Sequence, residues 1–540
     1  MTAGVLEDAG ELVRLAQRTY ADDDDAMSIL ADLDRRIHEP LRLALAGMVK
    51  AGKSTLLNAI LGEQIAPTDA GECTRVVTWY RYAATPSITL HPHEGAPHRL
   101  PVRRDDGHLV LDLAGFAPEE IDWIDVGWPS GALTSMILID TPGIASLSQD
   151  VSARSTMFLL PERSPSSADA IVYLLRHLHA SDVRFLESFR DTAAGASETV
   201  NAVAVLSRAD EIGSGRIDSL LSAGNVARRY ESDGELASLA LAVLPVAGLL
   251  AEGGRTLREG EFAALRELAA LDRRDRERLL VSADRFARPT DTTTQSEQTR
   301  RELLGRFGIF GVRLATALIR GGVRDSTELA ERLVQQSGLT DLTGFVRLHF
   351  RSRAVALKVR GVIHALEELV ADRPHDGARE ILAGIERLQS SSHPLRELAL
   401  LSQIRTSRHP LPPADADDVA RRIGGDGVSA RSRLGLAEST SREEVRALVE
   451  SELGRWRARG QSPLTDRATA DICRVVIRSL EAIASEVAGD DRPTPHVVLA
   501  GGPGQGRGEG AHQQGEHGEH PLHGEGLPQE HSVLSARGEL

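Results

Sequence analysis

The rhythm of apolar and polar positions changes near residue 255. Before it, short runs rich in apolar and β-branched residues alternate with helical segments. The runs at 41–47, 75–83, 87–91, 108–113, 121–128, 135–140, 169–175, 200–206 and 243–247 are expected to be strands. Strands alternating with helices predict an α/β sheet with phosphate chemistry at the strand C-terminal ends.

Beyond 255 no run reads as a strand, and apolar residues recur at helical spacing. Val445, Leu448, Val449, Leu453 and Trp456 keep one stripe, opened by a capping box at Ser441-Arg-Glu-Glu444. Ile472, Val475, Val476, Leu480, Ile483 and Val487 make a second. Leu342, Phe345, Val346 and Phe350 begin a third that runs on through Leu366, Leu369 and Val370, followed by Ile381, Leu382, Ile385 and Leu388. One-sided stripes on consecutive helices predict a bundle. Residues 5–38 read as two more helices joined at the acidic stretch Asp22 to Asp25, the second stopped by Pro40.

From 489 to 540 Gly, His, Gln, Glu and Pro dominate, a composition that buries too little apolar surface to fold, so a disordered tail is expected. His512, His517, His520, His523 and His531 are spaced irregularly there, which favours adventitious metal capture over a built site.

Composition narrows the setting. The 540 residues carry a net charge of −15, which gives no general attraction to nucleic acid or anionic lipid. Cys73 and Cys473 are the only cysteines, so no disulfide framework is expected and a reducing cytosol is the default. The longest apolar run, Leu236 to Ala251, is broken by Pro245 and Gly248 and is too short to span a bilayer; it reads as a helix end followed by a buried strand. A soluble or peripheral protein is expected.

The chemistry starts at Gly47-Met-Val-Lys-Ala-Gly-Lys-Ser54, which fits G-x-x-x-x-G-K-[ST] between the expected strand at 41–47 and a helix from Thr55 to Leu61. In that geometry turn N–H groups and the helix N-terminus face phosphates, Lys53 reaches the β/γ-phosphates and Ser54 ligates Mg²⁺. Gly47, Val49, Lys50, Ala51, Gly52, Lys53, Ser54 and Thr55 are the expected phosphate-side contacts. Ile137-Leu-Ile-Asp-Thr-Pro-Gly143 is an apolar strand ending in D-x-x-G, with Asp140 placed to hold Mg²⁺ through water and the Gly143 N–H to sense the γ-phosphate. In the loop between them a threonine can place its hydroxyl on Mg²⁺ and its backbone near the attacking water; Thr74 is preferred, with Thr68 the competitor.

Base recognition falls on Ser207-Arg-Ala-Asp210, after the expected strand at 200–206. The usual guanine-specifying pattern is [NT]-K-x-D, so Ser207 and Arg208 depart from it. The Asp210 carboxylate can accept from N1–H and N2–H₂ of guanine, and Arg208 can lie along the base plane. Ser207, shorter than Asn, should tie this loop to the phosphate loop less firmly. The stretch Val246-Ala247-Gly248, Val246 and Ala247 foremost, is placed to offer a backbone N–H to the guanine O6.

With these motifs, the flanking Glu39-Pro-Leu-Arg-Leu-Ala-Leu-Ala-Gly47, Ile65-Ala-Pro-Thr-Asp69, Thr74-Arg-Val-Val-Thr-Trp79, Gly215-Arg-Ile-Asp218, Arg306-Phe-Gly-Ile-Phe-Gly311 and Ser337-Gly-Leu339 make the chain resemble the bacterial dynamin-like GTPases over about residues 1–487. The resemblance implies an α/β P-loop GTPase domain, mostly parallel in its sheet, at 39–325. It also implies an elongated helical neck-and-trunk bundle at 326–488, with the helices of 1–38 packed into it. GTP would be the substrate and Mg²⁺ the cofactor. The implied partners are a second copy across the nucleotide face, a related dynamin-like protein, and lipid at the cytoplasmic face of the plasma membrane, with no nucleic acid. Turns at 372–377 and 405–410 are the candidate lipid contacts, though each offers only one or two basic residues and no strong apolar wedge.

The P-loop departs from that family. Dynamins carry Gln-Ser where this chain has Val49-Lys50, and the serine helps hold a monovalent cation that offsets charge between the β- and γ-phosphates. The expectation here is that the Lys50 ammonium supplies that charge, making Lys50, Lys53, Thr74 and Gly143 the catalytic set. The leading function is GTP hydrolysis coupled to dimerisation and membrane remodelling; a weakly hydrolysing GTP-binding scaffold is the alternative.

Overall fold

The computed structural model describes residues 2–67, 75–105, 108–143, 168–192, 200–213, 215–232, 235–405 and 409–489. All of them belong to one unit, Met1–Asp491. The glycine- and histidine-rich tail, Thr68 and Thr74 lie outside the described residues.

The main sheet is built from β1 (Leu41–Gly47), β2 (Val77–Tyr82), β3 (Ser87–Pro92), β4 (His98–Leu100), β7 (Ile121–Trp128), β8 (Met136–Asp140), β9 (Ala170–Leu175), β10 (Ala202–Ser207) and β11 (Val243–Val246). Its order among the described residues is β11-β10-β9-β1-β8-β2-β7-β3-β4. The run from β11 to β8 is parallel, β2 turns antiparallel to β8, and β3 and β4 continue antiparallel beyond the parallel pair β2–β7. Every residue of β1, β9 and β10 is buried, which is why these strands read as unbroken apolar runs.

Two strands were not expected, the three-residue β4 and β5 (Arg103–Asp105). β5 pairs with β6 (His108–Val110) in a separate two-stranded ribbon. β5 is Arg-Arg-Asp and fully exposed, so no apolar signal marks it. The expected strand at 108–113 stops at Val110; Leu111 and Leu113 are buried outside any strand.

Register sets the functional edge. Leu45 pairs with Asp140 and Gly47 with Leu174, so the C-terminal ends of β1, β8 and β9 lie side by side, with Ser207 paired to Val246 at the ends of β10 and β11. α3 (Lys53–Leu61) leaves β1 through the glycine loop.

At the opposite end of β1, helix α2 (Asp24–His38) is bound to the sheet by charge. The Arg36 Nε donates to Asp169 Oδ1 at 2.7 Å with both side chains buried, and the Arg42 N–H takes Asp169 Oδ2 at 2.8 Å. Lys358 of α13 (Ala354–Asp372) donates to the Ile37 carbonyl at 2.9 Å. Glu39 bridges Arg42 and Arg81, and both guanidinium groups stack on Trp79, at 5.0 and 4.8 Å.

Beyond Val246 the described residues contain no strand. They form α6 (Gly248–Arg255), α7 (Glu259–Ala270), α8 (Arg273–Leu279), α9 (Ala283–Ala287), α10 (Glu297–Arg320), α11 (Ser326–Gln336), α12 (Leu339–Phe345), α13, α14 (Ala378–Ser391), α15 (His393–Arg405), α16 (Pro413–Arg422), α17 (Ala430–Leu434), α18 (Arg442–Gln461) and α19 (Arg467–Gly489). The Ser441 hydroxyl accepts from the Glu444 N–H at 3.3 Å while Glu444 accepts from the Ser441 N–H at 3.1 Å, completing the capping box of α18. Val445, Val449, Leu453 and Trp456 face Ile472, Val476, Leu480 and Ile483 in one core.

Helix α1 (Thr2–Thr19) packs on α13 and α14, with Leu12 against Gly384. Tyr20 donates to the Arg373 carbonyl at 2.8 Å, and Arg373 pairs with Asp23 and Asp25. The turn at 372–377 is therefore locked to the α1–α2 turn with its arginine neutralised. Arg405, at the head of the other candidate lipid turn, donates to the Ala240 and Leu241 carbonyls at 3.0 Å each. That turn starts docked on the sheet region, and its residues 406–408 lie outside the described residues.

Candidate nucleotide-binding site

The phosphate loop depends on glycine where the backbone demands it. Gly47 has φ 142, and a Cβ there would sit 2.2 Å from the Leu174 carbonyl oxygen. Gly52, at φ 95, caps α3 in the left-handed region. Lys50 adopts φ 61 although it is not glycine, and its side chain and that of Val49 are exposed. A non-glycine residue in this region carries local strain, here inside the loop expected to meet phosphate.

Lys53 opens α3 with its Nζ donating to the Gly47 carbonyl at 3.1 Å and the Met48 carbonyl at 3.3 Å. Burial lowers its pKa, against the pull of Asp140. Ser54 donates to Asp140 Oδ2 at 2.7 Å, and Oδ1 of the same carboxylate is buried with no partner among the described residues. Burial raises the Asp140 pKa, opposed by the Lys53 charge and the Ser54 hydrogen bond. A hydroxyl beside a carboxylate with one orphaned oxygen is a hard-oxygen donor set, and it fits Mg²⁺. Thr141 locks the end of β8 to β1 through its hydroxyl, which donates to the Leu45 carbonyl at 2.8 Å.

Gly143 lies against the phosphate loop. A Cβ there would come within 2.5 Å of Val49 Cγ2 and 2.7 Å of Val49 Cα. Asp140, Gly143 and residues 47–54 thus meet, while Thr74 falls outside the described residues.

The base side is a cleft of about 590 Å³, including space open to solvent, lined by Ala51, Gly52, Thr55, Ser207, Arg208 and Asp210 among others. Ser207 turns away from the phosphate loop and donates to the Leu175 carbonyl at 3.1 Å. Arg208 makes the tie instead: at φ 52, its Nη2 donates to the Lys50 carbonyl at 3.3 Å and its Nη1 to Glu211 at 2.8 Å. Glu211 also accepts from Arg176 at 2.8 Å. Burial raises the Asp210 pKa, with Glu211 adding to the shift and Arg208 opposing it.

Val246 lines the cleft, but the Ala247 N–H is spent on the Ser337 carbonyl at 2.9 Å. Gly248, the next residue and the first of α6, lines the cleft, and as a first-turn residue its N–H has no intrahelical acceptor. The donor expected at Ala247 is therefore better provided one residue on. α10 breaks at Gly308, φ 65, beside Leu249 and the Asp210 carboxylate.

Sequence reasoning missed Glu211 and Asn58. Asn58 is fully buried in α3; its Oδ1 accepts the Ile65 and Ala66 N–H groups at 2.9 and 2.7 Å, and its Nδ2 donates to Glu252 at 3.2 Å. It thereby fixes the chain leading out to residues 68–74. The available signal was an amide inside the otherwise apolar Leu56-Leu-Asn-Ala-Ile-Leu61.

Residues 43–108 match the dynamin family model. The chain is 40% identical over 461 residues to the isoniazid-induced protein IniC of Mycobacterium tuberculosis, covering 85% of this chain and 93% of that one. It is 29% identical over 162 residues to a bacterial dynamin-like protein of Nostoc punctiforme, covering 27% and 22% of the two chains. A solved structure of an oligomerised bacterial dynamin pair aligns over 90% of this chain and 76% of that one, at 11% identity and a TM-score of 0.29. A P-loop, a Ser54–Asp140 pair and an Asp210 cleft on one sheet edge, in a chain so closely related to IniC, make this protein a member of the bacterial dynamin-like GTPase family.

Proposed function

We propose that the protein binds GTP with Mg²⁺, hydrolyses it to GDP and phosphate, and couples the cycle to self-association across the nucleotide face and to remodelling of the cytoplasmic membrane. The observation that supports this best is the convergence of residues 47–54, Asp140, Gly143 and Asp210 on the C-terminal edge of one sheet.

The division of labour follows from the side chains. The Asp210 carboxylate accepts two guanine donors, the Gly248 N–H serves O6, and Arg208 flanks the base while bracing the Lys50 carbonyl. Lys53, released from the Gly47 and Met48 carbonyls, turns its ammonium to the β/γ-phosphates. Ser54 and Asp140 would hold Mg²⁺, which supplies charge neutralisation between the phosphates. Gly143 offers its N–H to the γ-phosphate, and Thr74 is assigned to Mg²⁺ and the attacking water. Loose phosphoryl transfer asks little of a base, so positioning and charge carry the rate.

Lys50 is assigned the compensating cation role. Its left-handed backbone and exposed side chain keep the ammonium out of internal pairing. If Lys50→Ser left turnover unchanged and still independent of K⁺, this role would be wrong.

The decisive experiment is GTP hydrolysis by the full chain at several protein concentrations, with and without anionic liposomes, with Lys53→Ala as control. Specific activity should rise with concentration. Flat activity, indifferent to lipid, would favour a GTP-binding scaffold. Among the described residues no helix is long and apolar enough to cross a membrane, so any lipid contact rests on surface groups. The pairing of Arg373 with Asp23 and Asp25 leaves little free positive charge at the turn 372–377.

A further inference from the structure

A second concentration of buried positive charge lies in the helical region and shares no residue with the nucleotide cleft. Arg353 immediately precedes α13, and His349 sits four residues earlier, stacked on Phe345 with centroids 4.2 Å apart. Gly424, at φ 90 just beyond α16, receives both neighbouring guanidinium groups. A Cβ there would lie 2.9 Å from Arg353 Nη2 and 3.5 Å from Arg433 Nε, and the Gly424 carbonyl accepts from Arg353. Arg433 spends Nη1 and Nη2 on Glu397, at 2.5 and 3.2 Å. Arg405 spends Nη2 on the Ala240 and Leu241 carbonyls.

What remains is a set of donors with nothing to donate to. Arg353 Nη1, Arg405 Nε, Arg433 Nε and His349 Nδ1 are buried without a hydrogen-bond partner among the described residues. Among the described residues Glu397, half-buried, is the carboxylate that ion-pairs within this set, and it is already shared by Arg433, His393 and Ser479, while Glu231 and Asp426 act on Arg405 by charge alone. Burial, then the Arg433 charge, draws the Arg353 pKa down to about 10, with Glu397 opposing. Burial, then the Arg353 and Arg405 charges, holds His349 down to about 4, so its ring is neutral. A buried guanidinium N–H without an acceptor is costly, and so is uncompensated buried charge. One multivalent anion relieves both.

We infer that Arg353 and Arg433, with His349 and Arg405 at their side, form a second anion site that takes a small phosphate-class oxyanion where the helical region meets the chain entering β11. A tetrahedral oxyanion offers several acceptors to donors arriving from three helical elements, as guanidinium–phosphate pairing requires. The donor atoms carry almost no accessible surface, so the anion enters only as the Gly424 turn gives way, which suits a small free anion better than a headgroup still anchored in a bilayer. The site also bears on the nucleotide: Arg405 holds Ala240 and Leu241, which lead into β11, and Val246 at the end of that strand lines the base cleft.

The test uses the full chain saturated with GDP and Mg²⁺, so that the phosphate loop is filled. Thermal unfolding is followed against inorganic phosphate, with chloride at matched ionic strength as reference. The expected result is a saturable rise in midpoint with phosphate alone. Arg353→Met should shift the phosphate response to about tenfold higher concentration, the effect of losing one charge-assisted contact. Gly424→Ala should do the same by displacing the guanidinium while keeping its charge, and it covers the case in which Arg353→Met fails to fold. Equal responses to phosphate and chloride would mean the donors are merely hydrated and would overturn the site, as would an unaltered phosphate response in both variants. In a parallel arm, cosedimentation with phosphatidate vesicles that depends on Arg353, without any response to free phosphate, would overturn the small-anion assignment in favour of a lipid headgroup.

Discussion

The Arg208 guanidinium donates to the main-chain carbonyl of Lys50 at 3.3 Å, joining two loops that are 158 residues apart in the chain. Base recognition and phosphate recognition are thereby braced by one side chain, because Ser207 is turned to Leu175 instead. Arg208→Ala should weaken GDP and GTP binding by about tenfold, the scale of one charged hydrogen bond plus lost base contact. Arg208→Lys should recover part of it through the base plane without restoring the forked contact to Lys50 and Glu211. Titration with a fluorescent guanine nucleotide measures both; equal affinity in all three proteins would deny the brace.

Asp210 should set both base choice and acid sensitivity. In the proposed role a carboxylate here would accept from N1–H and N2–H₂ of guanine, whereas an amide would donate and suit the 2-oxo group of xanthine. Asp210→Asn should lose GTP by about 100-fold or more, since buried donors go unpaired, and gain xanthosine triphosphate. Burial raises the Asp210 pKa, so in the free protein this carboxyl protonates at a higher pH than the ordinary aspartate value of about 3.9. GTP affinity should therefore be complete at neutral pH and decline on acidification from above that value, while the Asn variant stays flat for xanthosine triphosphate. Isothermal titration across pH separates these outcomes.

Gly143 has no room for a side chain. A methyl group there would press on the Val49 backbone at 2.7 Å, so Gly143→Ala must part the phosphate loop from the loop after β8. Hydrolysis should fall by at least about tenfold while the thermal midpoint moves little, because both loops lie at the sheet edge. A large drop in stability with unchanged turnover per folded molecule would show that the contact supports the fold rather than the chemistry.

Arg36 and Asp169 form a buried pair whose halves come from α2 and the start of β9. Removing either one takes the buried opposite charge from the other, at a cost of about 3–5 kcal/mol. Arg36→Met and Asp169→Asn should each destabilise the chain by that order in urea unfolding, and the double variant should be less harmed than the sum. Additive losses would mean that the two residues act independently.

The parts of the molecule legible in the sequence were those whose partners are local or whose burial is two-sided. β1, β9 and β10 announce themselves because every position is buried, and α18 because Ser441 and Glu444 cap it within four residues. The phosphate loop is a contiguous motif. In the ribbon only β6 was legible; β5 was not, since Arg103-Arg-Asp105 looks like any exposed loop. The floor of the base cleft was hidden for another reason. The Ala247 N–H is claimed by Ser337, and Gly308 approaches Asp210 from a helix some hundred residues later, so no local pattern could choose Gly248 over Ala247 within Val246–Gly248. Likewise the redirection of Ser207 and the use of Arg208 as the brace depend on the neighbouring strand, not on the four-residue motif.

The first helices of the chain have a consequence for its birth. Val5, Ala9, Leu12, Val13 and Ala16 of α1 are buried against α13 and α14, and Tyr20 reaches across 353 positions to Arg373. During synthesis α2 follows α1 directly and covers part of it, while α13 and α14, which cover the rest of its apolar face, follow some 330 residues later. At bacterial and eukaryotic elongation rates that is roughly 20–70 s during which an apolar helical face waits in solution. The sheet can close in the meantime, but the part of α1 that faces α13 and α14 stays uncovered until those helices are made, so the order of synthesis sets the order in which this core can close.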